Sequence, residues 1–218
     1  MGQSRTEEDY LKTIYMLSRI QPKGVGTKSI GDLLNLKLPS VSDMLRKLGA
    51  KKLIEYTKYK GVTLTEEGEK IALLIIRKHR LWETFLVEHF NFKWDEVHDI
   101  AEDLEHINSV KLIDQLDKFL GYPKFDPHGD PIPDKNGVIS LHYDKTLNQI
   151  KVGQSAMIVG VKDHSSDFLK FLESVSLTLG TMITVTSIIE YDKSLMIKTN
   201  NSIKHSLSQQ VCKNLYVK

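Results

Sequence analysis

The sequence has a single cysteine and no long apolar run, and each shortage excludes a class of protein or site. The one cysteine among 218 residues, Cys212, rules out an internal disulfide and a zinc site built on several thiolates. The longest apolar runs, such as residues 71–76, are far shorter than the roughly 20 residues of a membrane-spanning helix. The polar start also lacks the apolar core of a signal peptide. We therefore expect a cytoplasmic protein with no membrane partner, in which any metal is held by nitrogen and oxygen.

The charged side chains are segregated along the chain, although the net charge is only +2. Residues 1–64 contain 12 basic and 6 acidic side chains, and residues 136–218 contain 9 and 6. Residues 65–135 contain 9 basic and 16 acidic side chains, together with five of the eight histidines. A basic first block suits contact with a polyanion, and an acidic, histidine-rich block suits cation binding. The hydrophobic content of 40% excludes a mainly disordered chain.

The first 65 residues have the pattern of a winged helix-turn-helix domain. Apolar residues at helical spacing predict helices over residues 7–19, with Thr6 as N-cap, over 27–35, with Thr27 as N-cap, and over 39–49. The third of these has a proline at its first position, where proline is tolerated. Residues 54–65 then alternate apolar and polar side chains around a turn, which indicates a short β-hairpin.

The rest of the chain divides into a helical block and a small β-rich block. Apolar spacing predicts helices over residues 66–91, 94–108 and 109–120. Their apolar faces exceed what these short elements can cover, which favours a two-fold dimer. Four of the six prolines lie in residues 121–137, as expected of a connector. Beyond it, segments rich in Val, Ile and Thr predict a small β-barrel. We expect domains at 1–65, 66–122 and 146–218, with a linker at 123–145.

The sequence VHDIAEDLEHI contains the strongest pattern of possible metal ligands. On a helix, the positions i, i+4, i+7 and i+8 of His98, Glu102, Glu105 and His106 lie on one side. The helix before it adds His79 and a glutamate one turn later, in RKHRLWETFL. So many carboxylates destabilise one another unless a cation lies between them. Ligands that are all carboxylate or imidazole suit Mn²⁺ or Fe²⁺ better than Zn²⁺ or Cu⁺.

Several blocks of the sequence resemble, in order, those of the metal-dependent transcriptional repressors of the diphtheria toxin repressor and manganese transport regulator family. The matching blocks are EDYLKTIYML, PSVSDMLRKL, YKGVTLTEEG, RKHRLWETFL, VHDIAEDLEH and HGDPIP, followed by a tail similar to the family's SH3-like, FeoA-type domain. The resemblance implies a mainly α fold with small β parts: an N-terminal winged helix-turn-helix, a helical dimerisation domain and a C-terminal SH3-like β-barrel. It also implies a non-enzymatic homodimer that binds double-stranded operator DNA when Mn²⁺, or alternatively Fe²⁺, is bound. Such proteins usually repress metal-uptake genes, and no small-molecule substrate is expected.

The resemblance also implies two sets of metal ligands. The primary site would be formed by Asp9, Glu102, Glu105, His106 and Asp126. The ancillary site would be formed by His79, Glu83, His98, His164 and Asp167, with Asp163 as an alternative in the SH3-like domain. In the family that this sequence resembles, iron-responsive members have a Met and a Cys at the positions of Asp9 and Glu102. The two carboxylates of this chain therefore favour manganese. Short manganese regulators have an acidic residue where this chain has Lys12, so their bridged two-metal arrangement is not implied here.

The winged-helix interpretation places the recognition helix, residues 39–48, in the major groove of DNA. Pro39, Ser40, Ser42 and Asp43 are then expected near the bases. The expected phosphate contacts are Lys28, Arg46, Lys47, Lys51, Lys58, Tyr59 and Lys60.

Two other functions remain open at this level. Carboxylates and histidines on paired helices also form di-metal enzymes. A winged-helix regulator could instead sense an organic ligand in its C-terminal barrel, with the acidic block serving only dimerisation.

Overall fold

The computed structural model describes residues 3–57, 61–139, 143 and 145–218, and their contacts divide the chain into two compact units. The first unit consists of Met1–Trp82, Glu102–Leu116 and Ile132–Ile139. The second consists of Glu83–Ala101, Asp117–Pro131 and Ser140–Lys218. Each unit therefore combines segments that are far apart in sequence.

The first unit begins with the expected winged helix-turn-helix. Its elements are α1 (Arg5–Ser18), α2 (Thr27–Leu34), α3 (Leu38–Ala50), β1 (Ile54–Thr57) and β2 (Gly61–Leu64). The two strands pair antiparallel, and Val25 forms an additional bridge with Val62. Gly61 has a φ of 96°, and a Cβ there would lie 2.4 Å from the Val25 carbonyl oxygen, so only glycine fits. Fully buried side chains from α1, α2 and α3, including Leu11, Ile30 and Leu48, fill the core.

The helix starts differ by a few residues from those expected. The N-cap of α1 is Ser4 rather than Thr6: its hydroxyl accepts from the Glu7 amide, and the Glu7 carboxylate accepts from the Ser4 amide. This reciprocal arrangement satisfies two backbone donors that an isolated Thr6 cap would leave open. Gly26, rather than Thr27, is the N-cap of α2.

The helical block contains α4 (Glu66–Phe90), α5 (His98–Leu104) and α6 (Val110–Phe119). The second of these is much shorter than the predicted helix over residues 94–108. Glu105 and His106 follow it in a turn, where their side chains bond to residues of α1. These tertiary contacts outweigh the local helical pattern.

The second unit contains the expected β-rich domain. Its elements are β3 (Ser155–Val161), α7 (Ser166–Ser174), β4 (Met182–Ile188), β5 (Leu195–Thr199), β6 (Lys204–Leu207), α8 (Gln209–Lys213) and β7 (Leu215–Val217), preceded by a 3₁₀ turn at Leu147–Gln149. The five strands form one antiparallel sheet in the order β6-β5-β4-β3-β7. Two helices, α7 and α8, were not predicted. The buried Leu169 and Leu172 of α7 pack into the core of this domain.

Among the described residues, no helix is both long and apolar enough to cross a membrane.

Candidate metal centre

Three side chains of the first unit form a compact group, which we call the α1 cluster: Asp9, Glu105 and His106. One possible ligand atom from each lies within 4.8 Å of the others. His106 Nε2 is 2.9 Å from Asp9 Oδ1 and 3.7 Å from Glu105 Oε1. Neither His106 Nε2 nor Glu105 Oε1 has a hydrogen-bond partner among the described residues, although both atoms are buried. Buried polar atoms are rarely left without a partner, so this group is incomplete as a purely protein site.

Glu8 orients the imidazole of this cluster. Its Oε2 atom lies 2.6 Å from His106 Nδ1 and accepts that nitrogen's proton, which leaves Nε2 as the ring nitrogen turned toward the cluster. Metal-binding histidines usually have such a partner on the nitrogen that does not bind the ion. Nε2 faces the carboxylates of Asp9 and Glu105. The α1 cluster therefore has the donor arrangement expected of a cation site.

A buried lysine lies beside the α1 cluster. Lys12 Nζ is 2.6 Å from Glu102 Oε1 and 2.6 Å from Glu105 Oε2. It is also 3.4 Å from Nδ1 of His79, and that nitrogen is 2.6 Å from Glu105 Oε2. Burial raises the pKa of Glu105, but the hydrogen bond from His79 and the charge of Lys12 outweigh this and lower it below its usual value. Glu105 thus stays ionised in a buried position.

Asp9, in contrast, has a pKa above its usual value. Burial is the main cause; the attraction of His106 opposes it, and repulsion from Glu105 adds to it. Two carboxylates close together without full compensation create a local demand for positive charge. A divalent cation would relieve it.

The helix α1 also contacts the recognition helix, α3. Glu7 is almost completely buried, and its carboxylate lies 3.1 Å from Lys47 Nζ and 2.8 Å from Lys51 Nζ. Burial opposes its ionisation, but the hydrogen bonds from Lys51, the Ser4 amide and Lys47 lower its pKa to about 2. Glu7, Glu8 and Asp9 are consecutive, so α1 contacts both the end of α3 and the possible metal site.

The second unit contains another compact group, the connector cluster: Glu83, Asp126 and His128. All three residues are buried, and one ligand atom from each lies within 4.8 Å of the others. His128 Nε2 is 2.7 Å from the Trp94 carbonyl oxygen and donates to it, so Nδ1 faces Glu83 Oε2 at 3.6 Å. The Asp126 Oδ1 atom accepts from two backbone amides, which fixes the carboxylate. This group too can hold a cation.

Local backbone geometry positions the connector cluster. Gly129 has a φ of 87°, and a Cβ there would lie 2.2 Å from the Val159 carbonyl oxygen. The neighbouring His128 carbonyl accepts from the amide of Val161 on β3. Burial lowers the pKa of His128, but its close approach to Glu83 and the charges of Glu83 and Asp126 raise it to about 9. With no cation bound, a protonated His128 therefore balances these two carboxylates.

The structure changes the expected grouping of the predicted ligands. Asp126, expected in the primary site, instead belongs to the connector cluster in the second unit. Glu102 is bonded to Lys12 rather than grouped directly with Asp9. His98 lies 3.6 Å from Glu83, and its side chain is half exposed. The expected stripe at positions 98, 102, 105 and 106 is not one helical face, because α5 ends before its last two members.

The two predicted ligands of the C-terminal domain differ in their surroundings. His164 stacks on His128 with ring centroids 4.8 Å apart, and its Nε2 lies 3.7 Å from Asp130 Oδ2. Asp167 is exposed in the first turn of α7. The alternative, Asp163, accepts from the Ser165 amide.

Sequence reasoning missed two functional candidates, His128 and Glu8. The motif Asp-Pro-His in residues 126–128 was the available signal for His128, because it places a second possible ligand two residues after Asp126. No spacing rule identified Glu8, since its role depends on a contact with His106, 98 positions away.

The predicted DNA-contact residues of the described chain form an exposed surface. Pro39, Ser40, Ser42 and Asp43 are all exposed on α3, as are Lys28, Arg46, Lys47 and Lys51 on or next to α2 and α3. Arg46 pairs with Asp43 at 3.1 Å. Lys58, Tyr59 and Lys60 lie outside the described residues.

Three family models match successive parts of the chain. Residues 3–62 match the iron-dependent repressor N-terminal DNA-binding domain, and residues 65–134 match the iron-dependent repressor metal-binding and dimerisation domain. Residues 145–218 match the FeoA domain.

Similar proteins are named as metal-responsive regulators. The iron-dependent repressor IdeR of Mycobacterium tuberculosis is 35% identical over 138 residues, which are 62% of this chain and 57% of that protein. The regulator MntR of Oceanobacillus iheyensis is 35% identical over 120 residues, which are 55% of this chain and 80% of that protein. A solved manganese-dependent transcriptional repressor in complex with manganese is 31% identical, with a TM-score of 0.89 over 97% of this chain and 99% of that one.

Proposed function

Because the chain belongs to the family of metal-dependent transcriptional repressors that includes the diphtheria toxin repressor and MntR, we propose that it regulates transcription by binding operator DNA when it binds a divalent metal. It acts as a homodimer in the cytoplasm and represses metal-uptake genes when the metal is plentiful. The relatives are named as repressors and regulators rather than enzymes, which argues against the di-metal enzyme alternative.

One observation supports this function most directly: donor atoms of Asp9, Glu105 and His106 converge within 4.8 Å. Asp9 is on α1 of the winged helix, whereas the other two lie in the turn after α5. A divalent ion bound there supplies two positive charges shared by these segments. The carboxylates then no longer repel each other, and α1 stays fixed against the helical block.

The position of α1 matters for DNA because Glu7 holds Lys47 and Lys51 at the end of α3. A shift of α1 therefore changes where the recognition helix lies. In a two-fold dimer the two recognition helices enter successive major grooves only when they are about 34 Å apart. If the metal binds that arrangement 100-fold more tightly than the others, it stabilises the arrangement by a free energy of about 2.7 kcal/mol per site.

Manganese is the preferred metal in this proposal, and iron is the second choice. The donors of both clusters are carboxylate oxygens and imidazole nitrogens, with no thiolate or thioether. Such hard donors suit Mn²⁺, although intrinsic affinity alone ranks Zn²⁺ above it. Selectivity then depends on coordination number and on the metal available in the cell.

The connector cluster provides the second metal position of the proposal. Glu83, Asp126 and His128 are its ligands, with His98 and His164 close to them. The family resemblance implies two further ligands, His79, one turn before Glu83 on α4, and Asp167, whereas Asp126 and His128 are assigned here from their geometry. We assign this position a structural role in the second unit.

The remaining surface suits the expected partners. Ser40, Ser42 and Asp43 are placed for contacts to base edges, and the exposed lysines of α2 and α3 for contacts to phosphates. The helix α6 exposes large apolar side chains at Val110, Leu112 and Phe119. A second copy of the chain would cover them in the dimer.

An organic effector is the second candidate, because the C-terminal domain contains a cleft of about 340 Å³. It is lined by both polar and apolar residues, among them Thr181, Asn200 and Leu179. Calorimetry of the purified protein with Mn²⁺ separates the two functions, since only a metal sensor gives saturable heat.

The test of the proposal is a gel-shift titration with the DNA upstream of the protein's own gene, using Mn²⁺, Fe²⁺ and Zn²⁺ with chelator controls. We expect tight binding with Mn²⁺ or Fe²⁺ and its loss on chelation. Asp9→Asn should reduce metal-dependent affinity about 100-fold, because one anionic ligand is replaced by a neutral one of equal size.

Asp103→Asn is the matched control for that variant. It removes the same charge from the same unit, but Asp103 is exposed and forms a surface pair with Arg5, and such pairs contribute little. Equal binding by both variants, or full binding of operator DNA in chelator, would contradict the proposal.

A further inference from the structure

The ammonium of Lys12 lies where a second cation would be expected. Ligand atoms of His79, Glu102 and Glu105 converge within 4.8 Å, which is the compactness of a metal site. Lys12 Nζ is 2.6 Å from each of the two carboxylates and 3.4 Å from the imidazole. A side-chain cation thus already occupies this group.

The side chains around Lys12 suit an ammonium group. Lys12 is only 8% exposed, and a buried ammonium is costly unless anions surround it. Glu102 and Glu105 are those anions, and both distances are typical of strong charge-assisted hydrogen bonds. The lysine is therefore part of the site, rather than a surface charge that happens to be near it.

Glu105 connects the two positions. Its Oε2 atom faces Lys12 and His79 at 2.6 Å each, and its Oε1 atom, which has no hydrogen-bond partner in the described part of the chain, faces His106. The Glu105 carboxylate therefore belongs to two adjoining positions. One holds the ammonium of Lys12, and the other is the possible metal site of the α1 cluster.

The charges of the group also match a single metal ion. Asp9, Glu102 and Glu105 contribute three negative charges, and Lys12 contributes one positive charge. Two negative charges remain among these four side chains, which equals the charge of one divalent cation; Arg5, which also acts on Asp9 and Glu102, is paired with Asp103. Glu8 does not add to this demand, because it accepts from His106 and lies 4.0 Å from the ammonium of Lys78.

We propose that Lys12 acts as a built-in second cation, which limits this part of the first unit to one divalent ion, held by Asp9, Glu105 and His106. This inference rests on the proposed metal-dependent function. Without the ammonium, the group of His79, Glu102 and Glu105 becomes a second metal position that shares Glu105 with the first.

The test counts bound Mn²⁺ per protomer in the full-length protein and its Lys12 variants. Lys12→Glu and Lys12→Met remove the ammonium, and Lys12→Arg is the matched control that keeps a cation. Equilibrium dialysis with elemental analysis gives the count. Electron paramagnetic resonance gives the second readout, because two Mn²⁺ ions that share a carboxylate are magnetically coupled and isolated ions are not. Ions bound elsewhere in the protein cancel when the variants are compared.

We expect Lys12→Glu and Lys12→Met to bind one more Mn²⁺ per protomer than the wild type and to acquire a coupled spectrum. Lys12→Arg should match the wild type in both measurements. An unchanged count in the first two variants would overturn the inference. A pair of coupled ions that is present in the wild type and removed by Asp9→Asn would do the same, and this measurement decides the matter even if the Lys12 variants fail to fold.

Failure of the proposed function gives a different result. In that case Asp9→Asn leaves the wild-type Mn²⁺ count unchanged, whatever residue stands at position 12. A count that falls by one in Asp9→Asn, with no gain in Lys12→Met, contradicts only the role of Lys12.

Discussion

The α1 cluster and the connector cluster are similar in composition but differ in what surrounds them. Each combines carboxylates with one histidine whose second nitrogen is hydrogen-bonded, to Glu8 in one case and to the Trp94 carbonyl in the other. The α1 cluster adjoins a lysine and, through Glu7, the recognition helix. The connector cluster contacts α4, α5, the segment that contains Trp94 and the C-terminal domain. Similar ligands can thus serve regulation at one site and stability at the other.

The largest expected effect separates the two clusters through their histidines. His106→Gln should weaken Mn²⁺-dependent operator binding about 100-fold, or about 2.7 kcal/mol, because α1 loses its link to the turn after α5. His128→Gln should weaken it by about tenfold or less, because no DNA-contact element touches that residue in the described structure. Fluorescence anisotropy with labelled operator DNA measures both, and circular dichroism without metal checks that both variants fold. Equal losses would remove the distinction between the clusters.

A smaller effect, on the stability of the fold, is expected from Glu7. This residue links the recognition helix to the α1 cluster and not to the connector cluster. Its folded pKa of about 2 is below the ordinary value of 4.5, so the ionised form stabilises the fold. This stabilisation is complete above about pH 4.5 and is lost as the pH falls toward 2. Since Lys47 and Lys51 are partly exposed, we expect Glu7→Gln to cost about 2 kcal/mol of unfolding free energy at pH 7.

Chemical denaturation of the metal-free protein from pH 7 to pH 2 measures this contribution. The difference between wild type and Glu7→Gln should shrink across the acid range. Glu55→Gln, at an exposed position of β1, is the control and should show no such trend. A difference independent of pH would mean that Glu7 does not act through its charge.

The same comparison explains which features the sequence could predict. Periodic apolar positions located the winged helix, since burial of one face imposes that period on the sequence. Segments rich in Val, Ile and Thr located the strands of the C-terminal domain. Charged residues at helical spacing pointed to Glu105 and His106, although α5 ends before them. The connector cluster was harder to predict, because its geometry depends on the packing of Gly129 against Val159 rather than on any periodic pattern.

Contacts between distant residues were the least predictable. Lys12 meets Glu102 and Glu105 across about 90 positions of the chain, and no local pattern indicates that an ammonium will be buried between them. The family resemblance implied that Lys12 stands where short manganese regulators have an acidic residue, but only the structure shows what the lysine contacts.

The smallest expected effect concerns how each cluster orients its histidine. Glu8 accepts the Nδ1 proton of His106 with a charged carboxylate, whereas His128 donates to a neutral backbone carbonyl. A carboxylate partner makes the imidazole a stronger ligand, and loss of such a partner usually lowers metal affinity 10- to 100-fold.

Because Gln can still accept the proton, we expect Glu8→Gln to fall at the lower end of that range. Calorimetry should show Mn²⁺ binding that is about tenfold weaker, or about 1.4 kcal/mol. Glu8→Ala should lose more affinity than Glu8→Gln, since it removes the acceptor altogether. If both variants bind Mn²⁺ as tightly as the wild type, His106 is oriented without Glu8, and the two clusters are more alike than their hydrogen bonds suggest.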